Sequence, residues 1–193
     1  MYSETVHLPI VKNVVWPDEA ATAGFAAGLA VQPAISNAFI ELRGDLGAGK
    51  TTLVRHLLRA LGVSGRIKSP TYAVVEPYEL PGLNVWHFDF YRFNDPREWE
   101  EAGFRDIFAS PGLKLAEWPE KAAGHLPLAD LVVQMAAVDD SARQVTLTAQ
   151  TPIGVTLLYF FDSMLAFSDK GPKAIELDNT TMTQVTAPNG NSA

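Results

Sequence analysis

The sequence predicts an α/β fold of three layers, a mixed, mainly parallel sheet flanked by helices. Apolar strand patterns alternate with helical ones along the chain, the signature of helices packed on a central sheet. Residues 44–51 read Gly-Asp-Leu-Gly-Ala-Gly-Lys-Thr, a complete G-x-x-x-x-G-K-[ST] loop set between an apolar strand and an amphipathic helix. A third feature, the connection 80–84, is too short for a crossover, so the strands on either side of it must pair antiparallel.

Each element follows from a local signal. Residues 5–15 are rich in Val, Leu and Ile and predict a first strand. Asp18, after Trp16 and Pro17, is placed to cap an Ala-rich helix over 19–30. The strand 39–42 runs into the glycine-rich loop, and a helix over 51–61 follows it, stopped by Gly62. Leu53, Val54, Leu57, Leu58 and Leu61 recur at helical spacing and should face the sheet. Residues 72–78 and 85–90 predict two more strands joined by the turn at 80–84. Asp95 and Pro96 open a short helix that Gly103 ends. A strand over 113–117 is followed by Trp118 and Pro119, and 130–135 and 144–149 are the last two strands, linked by a turn at Asp139 and Asp140. No internal repeat is visible.

Composition bounds what such a domain does. With 193 residues and 47% hydrophobic content, the chain predicts one domain over 1–150 and an extension. A net charge of −7 argues against a non-specific polyanion binder, whose affinity needs an excess of Lys and Arg. The absence of cysteine excludes disulfides, zinc thiolates and thiol catalysis. The first residues lack a signal-peptide pattern and no stretch is long enough to span a bilayer as a helix, so the expectation is a cytoplasmic protein without a membrane partner.

The loop is the strongest chemical signal and makes the predicted fold P-loop NTPase-like. Gly44, Gly47 and Gly49 let backbone N–H groups curl around a phosphate, and the helix from Lys50 presents its positive dipole end to the anion. Lys50 is expected to reach the β- and γ-phosphates, and the Thr51 hydroxyl to ligate Mg²⁺. The loop by itself implies only that a nucleotide triphosphate or similar ligand binds, and the reaction must come from other residues around the γ-phosphate.

Three clusters are candidates. Ser69, Pro70 and Thr71 form a polar, hydroxyl-bearing loop suited to sensing the γ-phosphate in the manner of a switch. In the stretch 86–92, alternation puts His87, Asp89 and Tyr91 on one face and Trp86, Phe88 and Phe90 on the other. Asp89 ends an apolar strand, where a P-loop enzyme keeps a second magnesium contact, and can alternatively orient the attacking water. His87 reads as a packed core histidine, and Arg92 as a surface ion-pairing residue or a phosphate neutraliser. In the third cluster Glu117 closes another apolar strand, with Pro119 turning the chain just after it and Trp118 read as a packing residue. Two strand-end carboxylates beside Thr51 can share one Mg²⁺ or hold one water in line.

These motifs, in this order, carry a resemblance. Gly-Asp-Leu-Gly-Ala-Gly-Lys-Thr-Thr at 44–52, Lys-Ser-Pro-Thr-Tyr at 68–72, Glu-Pro-Tyr at 76–78, His-Phe-Asp-Phe-Tyr-Arg at 87–92 and Glu-Trp-Pro at 117–119 resemble the bacterial TsaE (YjeE) family over 16–149. The resemblance implies a small Mg²⁺-dependent ATPase required for threonylcarbamoyladenosine modification of tRNA. It also implies the TsaB and TsaD proteins as partners, with TsaD carrying the transferase chemistry and tRNA contacted only indirectly. Carried over by residue, it assigns Lys50, Thr51 and Thr52 to the nucleotide, 69–71 to a switch-like segment, and Asp89 and Glu117 to the essential carboxylates. Thr51 and Glu117 are assigned to magnesium and Asp89 to water or a secondary metal contact, two carboxylate roles that remain exchangeable. Asp45, Leu46, Gly47, Ala48 and Gly49 complete the nucleotide loop, and Trp16 or its neighbours are candidates to cover the base.

Two rival classes differ at identifiable places. A small-molecule or nucleoside kinase shares the loop but usually adds an Arg-rich lid, and no Arg cluster follows the loop here; a GTP switch needs an Asn-Lys-x-Asp segment, which the chain lacks. Beyond residue 149 the chain departs from the family pattern. The apolar run 153–161, within an extension over 151–178, is compatible with a packed strand or helix, a partner-docking segment or an unfolded terminus, and local packing is the expectation. Residues 179–193, poor in apolar side chains, are expected to be disordered.

Overall fold

Residues 9–167 are described by the computed structural model of the chain. Strand β1 (Ile10–Trp16) leads to helix α1 (Glu19–Ala30), and the Asp18 carboxylate caps it by accepting a hydrogen bond from Ala21 N at 2.9 Å. A 3-10 helix (Pro33–Asn37) then delivers β2 (Phe39–Arg43) to the glycine-rich loop, and α2 (Lys50–Ala60) follows that loop. The predicted stop at Gly62 is borne out by its left-handed φ of 101°. Next come β3 (Val75–Leu80), β4 (Leu83–Asp89), α3 (Pro96–Glu101), α4 (Phe104–Ala109) and β5 (Leu113–Glu117). A 3-10 helix (Pro119–Ala122), β6 (Leu131–Ala137), β7 (Arg143–Ala149) and α5 (Pro152–Phe167) complete the described chain.

Among the described residues, seven strands form one mixed sheet in the order β1-β7-β6-β2-β5-β4-β3. Its centre, β6-β2-β5-β4, is parallel, and both edges are antiparallel. Burial on two faces explains why the central strands read as continuous apolar runs. One face carries α1, α2 and α5, with Phe25, Leu53, Leu57, Leu157 and Leu158 packed against Ile40, Leu42, Leu115 and Val133. The other is an aromatic layer in which Phe88, Phe90, Trp99 and Phe104 meet edge-on or stacked.

Several local expectations are corrected. The first strand starts at Ile10, and the predicted residues 5–8 lie outside the described ones, as does the tail 179–193. Residues 71–74 form a turn instead of the start of a strand, because Val74 N bonds Pro70 O at 2.7 Å and the hydroxyls of Ser69 and Thr71 turn back onto Asp89. Helix α4 has no counterpart in the predicted elements. Six residues are too few to show helical periodicity, and it forms because Phe104 and Phe108 close the aromatic layer. The apolar run after residue 150, by contrast, packs locally as expected: it is helical, Leu157 and Leu158 are buried in the same core as the sheet, and Gln32 Nε2 donates to Leu157 O at 3.2 Å. Among the described residues no helix is long and apolar enough to cross a membrane.

Two glycines show how tightly the helical face is set. A methyl group at Gly154 would collide with the Asp130 backbone carbonyl, whereas one at Gly24, exposed within α1, meets nothing within 4 Å. Gly154→Ala is expected to lower the unfolding free energy by about 1–3 kcal/mol and Gly24→Ala to raise it by about 0.5–1 kcal/mol, read from urea denaturation. Equal effects of the two substitutions would contradict the packing described for α5.

Candidate functional site

The parallel centre of the sheet sends its strand ends toward the phosphate loop, and alternation decides which side chains arrive there. Asp89 on β4 and Glu117 on β5 are register partners, next to each other at the ends of neighbouring strands, and Glu117 in turn pairs with Leu42 on β2. On the face shared with α2 stand Val85, His87 and Asp89, while Phe88 and Phe90 lie in the aromatic layer. The predicted division of the 86–92 segment is therefore the observed one.

The loop between β2 and α2 has the conformation its glycines predict. Gly44, Gly47 and Gly49 have φ of 132°, 81° and 106°, which only glycine adopts without strain. A Cβ at Gly44 would run into Met135 O on β6, so the sheet itself walls the loop. Lys50 is buried, and its Nζ donates to Gly44 O at 2.5 Å and Asp45 O at 2.9 Å. Burial pushes the Lys50 ammonium below its ordinary pKa, opposed by the negative charges of Glu117, Glu120, Asp89 and Asp45.

Glu117 is 2% exposed and committed at both oxygens. Its Oε2 accepts from the Thr51 hydroxyl at 2.8 Å, and its Oε1 lies 2.8 Å from His87 Nε2. With the carboxylate ionised, the fully buried His87 donates through Nε2, and its Nδ1 has no hydrogen-bond partner among the described residues. His87 thus packs in the core, as predicted, but also orients a site carboxylate, a role its sequence position did not signal. Asp89, at the end of β4, is tied to the neighbouring loop. Its Oδ2 accepts from the hydroxyls of Ser69 and Thr71, the latter at 2.8 Å, and its Oδ1 from Tyr91 N at 3.0 Å. The Asp89 N–H donates to Val74 O at 2.8 Å, so the Ser69–Thr71 segment and the end of β4 are held together through both backbone and side chain.

A cleft of about 300 Å³ unites these groups. It is lined by Leu46, Gly47, Gly49, Lys50, Thr51 and Thr52 from the loop and helix, by Ser69 and Thr71, and by Asp89 and Glu117. Arg55, Tyr91 and Trp118 also line it and were not assigned there from sequence. Trp118 is more than a packing residue: its ring lies 3.9 Å from Lys50 Nζ and 5.0 Å from the Tyr91 ring, and its φ is 57°. Val74, at φ 65°, is the other non-glycine residue with positive φ among those described, and it follows the loop that carries Ser69 and Thr71. Such conformations cost about 1–3 kcal/mol each and persist where surrounding contacts over-determine them.

Other candidates lie elsewhere. Trp16 is buried against Phe25 at 4.9 Å between ring centroids, in the core and away from the cleft lining. Arg92 stacks over the exposed Tyr72 ring at 4.4 Å. No group of three or more His, Cys, Asp or Glu side chains among the described residues forms a metal cage. The donors near Thr51, a hydroxyl and carboxylates, are hard oxygens suited to Mg²⁺, which is commonly held by one or two carboxylates together with substrate phosphates.

A family model described as threonylcarbamoyl adenosine biosynthesis protein TsaE matches residues 16–145. The tRNA threonylcarbamoyladenosine biosynthesis protein TsaE of Haemophilus influenzae is 47% identical over 124 residues, covering 64% of this chain and 78% of that protein. Its namesake in Bacillus subtilis is 34% identical over 110 residues, covering 57% and 68%. Among solved structures, the crystal structure of Bacillus subtilis YdiB superposes with a TM-score of 0.64 at 26% identity, covering 82% of this chain and 98% of that one.

The buried His87–Glu117 contact yields a stability prediction that does not depend on any ligand. His87→Leu removes the donor facing a carboxylate that is 2% exposed, and the unfolding free energy should fall by about 1–3 kcal/mol in urea denaturation at neutral pH. An unchanged midpoint would show that Glu117 does not rely on this histidine.

Proposed function

The chain belongs to the TsaE family, and on that premise we propose that it binds and hydrolyses ATP with Mg²⁺ in the cytoplasm. In this reading the hydrolysis serves threonylcarbamoyladenosine formation in tRNA and is carried out together with the TsaB and TsaD proteins. The observation that carries the ATPase reading is the Thr51–Glu117 hydrogen bond of 2.8 Å, with Asp89 in register beside Glu117 at the mouth of the glycine-rich loop.

Each residue has a task that follows from its chemistry. Backbone N–H groups of 45–50 and the Lys50 ammonium bind the phosphates, with the dipole of α2 behind them. Thr51 and Glu117 are the groups that would hold Mg²⁺, whose chemistry is to offset charge on the phosphate oxygens. Asp89 is positioned to orient water, and its hydrogen bonds to Ser69 and Thr71 make the 69–71 segment responsive to whatever occupies the γ-phosphate position. Trp118 stacks its ring over the Lys50 ammonium and so helps to hold it in place. The relatives' names favour this function over transfer of phosphate to a metabolite. The net charge of −7 accords with tRNA being gripped by partners instead of this subunit.

Nucleotide binding and phosphate release separate the two halves of the proposal. Lys50→Ala should abolish ATP binding, while Asp89→Ala and Glu117→Ala should keep the dissociation constant for ATP within about threefold and lower hydrolysis at least about a hundredfold. Titration calorimetry and a phosphate-release assay read the two effects. Wild-type hydrolysis in the double carboxylate variant would overturn the assignment of the site.

A further inference from the structure

Arg143 is outside every motif of the sequence and outside the cleft lining, yet it touches the phosphate loop from behind. It is the first residue of β7, where it pairs in register with Trp16 of β1 and Ala137 of β6. Its Nε donates to the backbone oxygen of Ala48 at 2.9 Å, and its Nη1 donates to Asp139 O at 3.0 Å and Ala142 O at 2.8 Å. One guanidinium therefore bridges the loop and the turn of the β6–β7 hairpin.

The peptide between Ala48 and Gly49 is trans, as are all described bonds, so its C=O and N–H point in opposite directions. Holding the Ala48 carbonyl outward on Arg143 turns the Gly49 N–H toward the cleft, and the lining follows this pattern: Gly47, Gly49 and Lys50 line it and Ala48 does not. Gly49 has φ of 106° and little steric preference of its own, so its peptide orientation needs an external anchor. On the far side, a Cβ at Gly49 would lie 3.2 Å from Met135 Cε and 3.6 Å from Arg143 Nε, so the hairpin is in close contact with the loop at this residue.

We propose that Arg143 is a positioning residue for nucleotide binding: by anchoring the Ala48 carbonyl it fixes the Gly49 N–H as a phosphate donor and so sets affinity from outside the pocket. The inference rests on the ATP-binding reading above and adds to it a residue of the last strand. It places the control of phosphate affinity partly in the hairpin turn at 139–142, whose carbonyls hold the other end of the same side chain. Because the cradle is common to di- and triphosphates, ATP and ADP should be affected alike, and the chemical step at saturating ATP should be affected little.

The test compares full-length Arg143→Ala, Arg143→Lys and Val145→Ala with wild type, by calorimetric titration of ATP and of ADP, steady-state hydrolysis and thermal denaturation. Val145 is fully buried on the same strand and its side chain can make no hydrogen bond to the loop, so it reports loss of strand packing without loss of the carbonyl anchor. Arg143→Ala should weaken ATP and ADP about five- to twentyfold with kcat within about threefold of wild type. Arg143→Lys, which retains a donor, should recover part of that loss, and Val145→Ala should bind as wild type despite a lower melting temperature. Wild-type affinity in Arg143→Ala, or equal weakening in Val145→Ala, would overturn the inference while leaving the ATP site in place. Failure of the wild type itself to bind ATP would remove the functional reading and the inference together.

Discussion

The hydrogen bond from the Thr51 hydroxyl to Glu117 joins the two halves of this molecule that matter chemically, the helix behind the phosphate loop and the end of the central parallel strands. Its geometry is set by register. β2, β4 and β5 are parallel neighbours, so their ends fall side by side, and Asp89, Glu117 and Leu42 align across them. A slip of one residue in β5 would turn Glu117 into the aromatic layer and carry Ala116 to the loop. Burial of both faces opposes that slip, because Leu113 and Leu115 would lose their places under α2 and the strand would present a charge to Phe88 and Phe90.

Around that bond the polar groups fall into two connected sets. His87 and Thr51 hold Glu117 from opposite sides, which fixes a nearly fully buried carboxylate before any ligand arrives. Ser69, Thr71 and the backbone of Tyr91 hold Asp89, which ties the second carboxylate to a loop instead of a helix. Both carboxylates are buried and hydrogen-bonded, but Glu117 is tied to helix α2 through Thr51 whereas Asp89 is tied to the loop that turns at Val74. Under the proposed function, that difference in partners is the reason to pair Glu117 with Thr51 at the metal and to couple Asp89 to the γ-phosphate position. Under the proposed mechanism, hydrolysis is useful because the Ser69–Thr71 loop can sense it.

Much of this was legible in the chain. The loop 44–51 has a fixed spacing because a phosphate has a fixed size, and strand alternation alone placed His87 and Asp89 on one face and Phe88 and Phe90 on the other. Asp18 and the helix over 19–30 were readable because a cap and its helix are local. What could not be read depends on contacts between distant backbone atoms. Arg143 meets a carbonyl 95 residues away, and no side-chain pattern encodes a bond to a backbone oxygen. The turn at 71–74 looked like a strand because Tyr, Ala and Val suit one; tertiary bonds to Asp89 overrode that preference. Trp118 reads as packing in any apolar context, and its place over Lys50 follows from a left-handed backbone that sequence does not announce.

Under the same mechanism the carboxylate pair converts nucleotide binding into repeated action on a partner complex. The decisive measurement is multi-turnover formation of threonylcarbamoyladenosine in tRNA by purified TsaB and TsaD, with ATP and either the wild-type chain or Glu117→Ala. Several modified tRNAs per complex are expected with wild type and about one with Glu117→Ala, even though that variant still binds ATP. Equal multi-turnover yields with the two proteins would contradict the mechanism.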